Sequence, residues 1–178
     1  MSEVKSIKIS PVNTGDMTNK NVLLDAPAGK WLAQCFVTPS ATKPKADDGN
    51  EYPMLKLDFK LLEDLSGGNE EFVGRRVTTY LCFFPPGHKG YQIQMRTLHG
   101  LCAIADIPIP DFRTITEWPS DGQAFIDSID RAKFNIWTAV ELDRKASPPT
   151  DRTVVKFEAP RNFASPSSTA SRMSDDGE

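Results

Sequence analysis

Alternating apolar and polar residues predict five β-strands along this chain. The clearest is Met54–Leu62, where every second residue from Leu55 to Leu61 is apolar and the residues between them are polar. The same period of two predicts four more strands, over Lys30–Thr38, Arg76–Phe84, Lys133–Asp143 and Thr153–Glu158. It also allows an additional N-terminal strand near Ile7–Ile9. We expect the apolar face of each strand to line a common core, with Trp31, Ala33, Cys35, Val37, Leu55, Leu57, Phe59, Leu61, Val77, Leu81, Phe83, Phe134, Ile136, Val140 and Leu142 pointing inward.

The pattern changes to helical spacing between the third and fourth strands. Gly90–Ala105 places five apolar residues on one broad face of a helix, namely Ile93, Leu98, Leu101, Cys102 and Ala105. Pro108 and Pro110 then end this helix. A shorter helix is predicted over Gln123–Ala132, with Asp121 as its N-cap.

Three strands, a helix and two further strands are the order expected of an OB-fold. The predicted fold class is therefore mainly β: a five-stranded Greek-key barrel with a helix between strands 3 and 4. A β-sandwich has almost the same strand count and stays open as an alternative. We divide the chain into an N-terminal extension (1–24), the barrel domain (25–163) and a tail (164–178). The tail is rich in Ser and Asp without an apolar pattern, so we expect it to be disordered.

Composition limits the class of protein. The chain has 178 residues, of which 39% are hydrophobic, which is typical of a globular domain. It contains no run of about 18 apolar residues, and its first residues lack the apolar region of a signal peptide. We therefore expect a cytoplasmic protein. The net charge is −3, so any affinity for nucleic acid must come from a local arrangement of charge.

No constellation of residues predicts catalysis. The two histidines, His88 and His99, lack partners at the spacing of a metal site or a catalytic base, and Gly29-Lys30 lacks the upstream glycine of a phosphate-binding loop. The three cysteines are far apart in apolar contexts, which predicts buried free thiols and neither a disulfide framework nor a zinc site. We expect no enzymatic activity, no cofactor and no metal.

The polar faces of the strands carry aromatic residues among cations. Tyr80 alternates in phase with Arg76, Trp137 with Lys133, and Phe36 with Lys30. Single-stranded nucleic acid requires such a surface, because bases stack on rings while cations follow the phosphates. The alternative is that a helix or a partner subunit covers these rings. In an OB-fold the loops over Pro39–Pro53 and Lys145–Arg152 would flank the groove. The candidate binding residues are Lys30, Phe36, Lys43, Lys45, Tyr52, Lys56, Lys60, Arg75, Arg76, Tyr80, Lys133, Trp137, Arg144, Lys145 and Arg152.

The order of several short segments resembles a family of small phage OB-fold proteins that bind single-stranded DNA, many of them known only as a domain of unknown function. The segments are Pro27–Trp31, Gly49–Phe59, Phe72–Val77 and Pro160–Phe163, and the resemblance covers about residues 25–163. It implies non-sequence-specific binding of single-stranded DNA in phage replication or recombination. It also implies phage recombinase or replication proteins as partners, and it supplies no catalytic residues.

The tail departs from the pattern of bacterial single-strand-binding proteins, which commonly end in an acidic run closed by Pro-Phe. Here Ser174–Glu178 is acidic without a hydrophobic end, so it is interpreted as a solubilising segment or as a competitor of DNA for the basic groove. Two other functions stay open, a protein-interaction module (a phage accessory or counter-defence factor) and a virion component. Homo-oligomerisation also stays open.

Overall fold

A computed structural model describes residues 25–43, 49–111, 115, 118 and 120–159 of the chain. The predicted strand near Ile7–Ile9, the predicted tail over 164–178 and Lys45 lie outside these residues. The strands are β1 (Gly29–Ala41), β2 (Pro53–Asp64), β3 (Arg76–Cys82), β4 (Lys133–Asp143) and β5 (Thr150–Lys156). A 3-10 turn over Glu70–Phe72 precedes β3, and two helices, α1 (Tyr91–Ala105) and α2 (Gln123–Ile129), lie between β3 and β4.

The five strands form one antiparallel sheet in the order β3-β2-β1-β4-β5. β3 and β5, at opposite ends of this order, also lie in contact, so the sheet curls towards a small barrel-like shape. β1 is central because its N-terminal half pairs with β4 on one side, while its residues from Trp31 to Ala41 pair with β2 on the other. At the register shift between Leu32 and Ala33, β2 contains one extra residue, Leu62, and this bulge bends β2 near its C-terminal end.

The predicted core is largely confirmed. The predicted inward residues of β1 to β3 are buried except for Val37, and Phe134 and Ile136 of β4 join them. Val37 and the predicted helix residue Ala105 are partly buried and pack against this core. Leu98, Leu101 and Cys102 of α1 and three residues of α2 cover the same core. Burying a large apolar side chain stabilises a fold by about 1.5–3 kcal/mol, so this cluster supplies the main driving force for folding.

One buried polar chain of hydrogen bonds joins β1 to β4. The indole Nε1 of Trp31 donates to Thr138 Oγ1 at 2.9 Å, and the Thr138 hydroxyl donates to the carbonyl oxygen of Pro27 at 2.5 Å. Trp31 and Thr138 are both fully buried. A buried donor without a partner costs about 1–3 kcal/mol, so these bonds fix Trp31 in one position.

Three predicted core residues are exposed. Val140 and Leu142 are 38% and 48% exposed, because the pairing of β4 with β1 ends at Thr138 and, among the described residues, only β5 lies beside the rest of β4. Ile93 is 65% exposed because the first turn of α1 has no buried residue; the buried face of α1 begins at Leu98. The apolar alternation was therefore wrong at the end of β4 and at the start of α1.

Two local predictions need correction. The N-cap of α2 is Gly122 and not Asp121. Any Cβ at Gly122 would lie 1.6 Å from the ring of Trp118, so only glycine fits there. Arg152, predicted in a loop, lies within β5, because that strand begins at Thr150.

The cysteines behave as the sequence predicts. Cys35, Cys82 and Cys102 are free and buried. Burial, assisted by the charges of Asp130 and Asp58, raises the pKa of Cys35 to about 12, so this thiol stays protonated and unreactive.

No helix in the described ranges is long and apolar enough to cross a membrane.

Candidate nucleic-acid interface

One face of the sheet points away from the core and carries most of the predicted binding residues. We call it the outer face and define it by the outward positions of the five strands. They are Lys30, Leu32, Gln34, Phe36 and Thr38 of β1; Lys56, Asp58, Lys60 and Glu63 of β2; Arg76, Thr78 and Tyr80 of β3; Lys133, Asn135, Trp137, Ala139, Glu141 and Asp143 of β4; and Arg152, Val154 and Lys156 of β5.

Strand pairing brings four of these residues into one line across the sheet. Arg76 pairs with Lys60, Lys60 with Gln34, and Gln34 with Lys133. We call this line the cationic row. The amide of Gln34 donates to the carbonyl oxygen of Arg131 at 3.0 Å, which holds the centre of the row in place.

The cationic row places like charges beside each other, although the carboxylate of Asp58 also interacts with the charge of Arg76. Lys60 and Arg76 are direct cross-strand neighbours of like charge, an arrangement that destabilises a sheet. Among the described residues, no carboxylate forms a salt bridge with Lys60, Arg76 or Lys133. A negatively charged ligand lying along the row would relieve this repulsion.

Two aromatic rings, those of Tyr80 and Phe36, lie on one side of the cationic row. Tyr80 is 50% exposed and pairs across the sheet with Lys56. Phe36 is half-buried, and the guanidinium carbon of Arg76 lies 4.9 Å from the centre of its ring. Tyr80 therefore offers an exposed ring to a base, whereas Arg76 of the cationic row covers the ring of Phe36.

Trp137 lies on the other side of the cationic row. It pairs with Lys30 of β1 and Lys156 of β5, and the ammonium nitrogen of Lys30 lies 5.0 Å from the centre of the indole ring. A cation–π contact of this kind contributes roughly 0.5–1 kcal/mol at an exposed site. Within the described residues, Lys30 thus covers part of the Trp137 ring, and a phosphate would compete with the ring for its ammonium group.

Asp58 modifies the charge on the outer face. Its carboxylate accepts a hydrogen bond from the Thr78 hydroxyl and lies 3.0 Å from the Lys56 ammonium group. Burial acts to raise the pKa of Asp58, but the bonds from Thr78 and Lys56 and the charge of Arg76 outweigh it and lower the pKa. Asp58 is therefore ionised at neutral pH and neutralises Lys56.

Two cations of β5 are paired with acids of β4. Lys156 lies 2.6 Å from Glu141, and Arg152 lies 3.9 Å from Asp143 and pairs across the strands with Glu141. Arg144 and Lys145 are exposed in the turn itself. The structure therefore places Arg152 on the outer face but leaves it less available to a ligand than the residues of the cationic row.

The remaining predicted residues lie at the margins. Tyr52 continues the outward alternation of β2 just before Pro53, and its ring packs edge-on against Phe84 and His88, each at 5.2 Å between centroids. Arg75 precedes β3 and lies over the ring of Phe72 at 4.7 Å. Lys43 is exposed in the connection between β1 and β2.

The outer face is positive within an acidic chain. It carries seven cations (Lys30, Lys56, Lys60, Arg76, Lys133, Arg152 and Lys156) and four carboxylates (Asp58, Glu63, Glu141 and Asp143). The whole chain has a net charge of −3. The described part of the chain therefore has a local excess of positive charge on this face.

Sequence reasoning missed Lys156. It stands directly beside Trp137, yet it was not among the predicted binding residues. Its signal was present, because Lys156 alternates with the apolar Val155 and Phe157 in the same way that Lys56 alternates with its neighbours.

Two concave regions lie off the outer face or at its border. A groove of about 1060 Å³ runs between α1 and the β4–β5 pair, with Ile93, Met95, Arg96 and Phe157 among its lining residues. A smaller cleft of about 390 Å³ lies between Tyr52, Trp118 and the adjoining ends of β1 and β2. Across the described ranges, His, Cys, Asp and Glu form no cluster of three that could hold a metal ion.

Comparison of the chain with protein-family models, with curated proteins and with solved structures finds no match in any of the three.

Proposed function

We propose that this chain is an OB-fold protein that binds single-stranded DNA without sequence specificity, through the outer face of its sheet. The observation that carries the proposal is the cationic row, whose cations form no salt bridge within the described residues. Tyr80 and Phe36 border the row on one side and Trp137 borders it on the other. Phosphates would lie along the cations while bases stack on the rings.

The sheet supports the fold part of the proposal. In an OB-fold the first strand pairs with both the second and the fourth, and the third and fifth approach each other to close the barrel. The strand order β3-β2-β1-β4-β5 and the contact between β3 and β5 agree with this arrangement. The sequence resemblance to phage single-strand-binding proteins supports the same fold and a role in protecting or presenting strands during replication or recombination.

The surface chemistry supports a single strand over a duplex. Stacking on Tyr80 and Trp137 requires bases with free faces, and a base-paired duplex hides those faces. The phenol and indole rings accept any base, which predicts little sequence preference. We infer a binding role, because the cationic row and its borders gather cations and aromatic rings, the groups that a single strand needs.

The test is a binding titration of the full chain with fluorescent dT30, a random-sequence duplex of equal length and an RNA oligonucleotide, each at 50 and 200 mM salt. The proposal predicts micromolar or tighter binding of dT30, weaker binding at the higher salt, and at least tenfold weaker binding of duplex. Failure to bind dT30 at 50 mM salt would remove the proposal. The RNA titration decides whether the 2′-hydroxyl matters.

A second candidate function is a protein-interaction module on the same sheet. The exposed side chains of Val140 and Leu142 favour it, because in the described part of the chain only β5 flanks this end of β4. In that case dT30 would not bind, and replacing Leu142 with a polar residue would abolish capture of a protein partner.

A further inference from the structure

We propose that one chain holds a strand of about five to eight nucleotides, which crosses the sheet diagonally from Tyr80 to Trp137. This inference rests on the proposed function and adds the length and course of the ligand. The proposed course depends on the positions of the two rings relative to the cationic row, and these positions follow from the register between the strands.

The distance between the two ends of this course follows from the register. Tyr80 lies in the row that passes through Thr38 of β1, and Trp137 lies in the row that passes through Lys30. These rows are eight residues apart on β1, or about 26 Å at roughly 3.3 Å per residue. Tyr80 and Trp137 are also three strand spacings apart, or about 14 Å at roughly 4.8 Å each. The diagonal path over the surface is therefore about 30 Å.

That path sets the number of nucleotides. A stacked strand advances about 3.4 Å per nucleotide, and an extended strand advances up to roughly twice as far. A path of about 30 Å then accommodates roughly five to nine nucleotides. A strand whose bases stack on separate rings is more extended than a duplex strand, so we place the length at about five to eight.

The cationic row lies between the two aromatic ends of this path. Arg76 and Lys60 are on the Tyr80 side of the sheet and Lys133 is on the Trp137 side. A diagonal strand crosses the row near its centre and brings successive phosphates past these cations. The Glu141–Lys156 ion pair lies just beyond Trp137, where its carboxylate opposes further phosphates. Both features favour a path that ends near Trp137.

A length series of oligo-dT tests the proposal. Affinity should rise at least tenfold between dT3, which reaches only one aromatic end, and dT8, which reaches both. Beyond dT10 it should rise less than threefold. Equal affinity for dT3 and dT8, or a steep rise that continues to dT16, would overturn the proposed course.

Variants locate the two ends. Trp137→Ala should weaken dT8 binding at least fivefold and dT3 binding less than twofold, because dT3 can still use Tyr80. Lys30→Gln, which leaves the ring in place, should also weaken dT8 more than dT3. The control is Ile109→Ala, an exposed apolar residue in the segment after α1, which should change neither. Losses of equal size at both lengths in both variants would overturn the diagonal path, whereas absent dT30 binding would remove the proposed function itself.

Discussion

Replacing Lys60 with glutamine should stabilise the protein and weaken its binding of DNA. Lys60 lies directly opposite Arg76, and no salt bridge neutralises either residue within the described part of the chain. Opposed like charges destabilise a sheet by about 0.2–1 kcal/mol, and we expect the lower half of that range for this exposed pair. With a denaturant slope of about 2 kcal/mol/M, the urea midpoint should rise by roughly 0.1–0.3 M.

The effect on binding follows from the number of phosphates neutralised. If Lys30, Lys60, Arg76 and Lys133 each contact one phosphate, the slope of log K against log salt for a single strand is about −2.8. Affinity then falls about 50-fold between 50 and 200 mM salt. Lys60→Gln should reduce the slope to about −2.1, so that the same change in salt weakens binding only about 18-fold.

The assay is fluorescence anisotropy with labelled dT8 at four salt concentrations, combined with urea denaturation of the same samples. The matched control is Lys89→Gln, because Lys89 is exposed in the turn before α1 and lies outside the outer face. The control should leave the salt slope unchanged. The reasoning is refuted if Lys60→Gln keeps the wild-type salt slope, or if it lowers the urea midpoint.

Further predictions concern Trp137, Asp58 and Thr138. Trp137→Ala should cut oligo-dT affinity several-fold while the circular dichroism spectrum stays that of a folded protein; unchanged affinity would contradict stacking on this ring. Asp58→Asn should free Lys56 from its 3.0 Å ion pair and so tighten dT8 binding. The slope of log K against log salt should become steeper by about 0.7. A weaker or unchanged affinity would show that Lys56 contacts no phosphate. The pKa of Asp58 in the folded state is lowered from 3.8, so its ionised form adds stability above pH 3.8. The stability difference between wild type and Asp58→Asn should therefore shrink as the pH falls below 3.8. A difference in urea midpoint that does not change with pH would argue against this. Thr138→Val should cost about 1–3 kcal/mol in urea denaturation because it leaves the Trp31 indole N–H without an acceptor, and a neutral effect would mean that the indole finds another.

The alternation of residues predicted much of the fold. All five strands and both helices occur where the pattern placed them, with ends that differ by up to three residues. Alternation also placed Tyr80 with Arg76 and Trp137 with Lys133, because side chains two residues apart in a strand share a face.

Other features depend on contacts that no single segment contains. The cationic row exists because Lys60, Gln34 and Lys133 come into register on three different strands. The register between strands cannot be derived from the sequence of any one strand. Burial depends on what lies beneath a residue, so Val140 alternates like a core residue yet lies exposed. The cation–π contact of Arg76 with Phe36 likewise arises between β3 and β1, which β2 separates.

Photo-crosslinking tests the central claim most directly, namely that the outer face of the sheet is the surface that holds single-stranded DNA. The full chain would be irradiated with a dT8 carrying 5-iododeoxyuridine at successive positions, and the crosslinked residues would be identified by mass spectrometry. The account predicts adducts on Tyr80 and Trp137, at positions at least four nucleotides apart. Adducts confined to α1 or to the groove beside it, with none on the outer face, would contradict it.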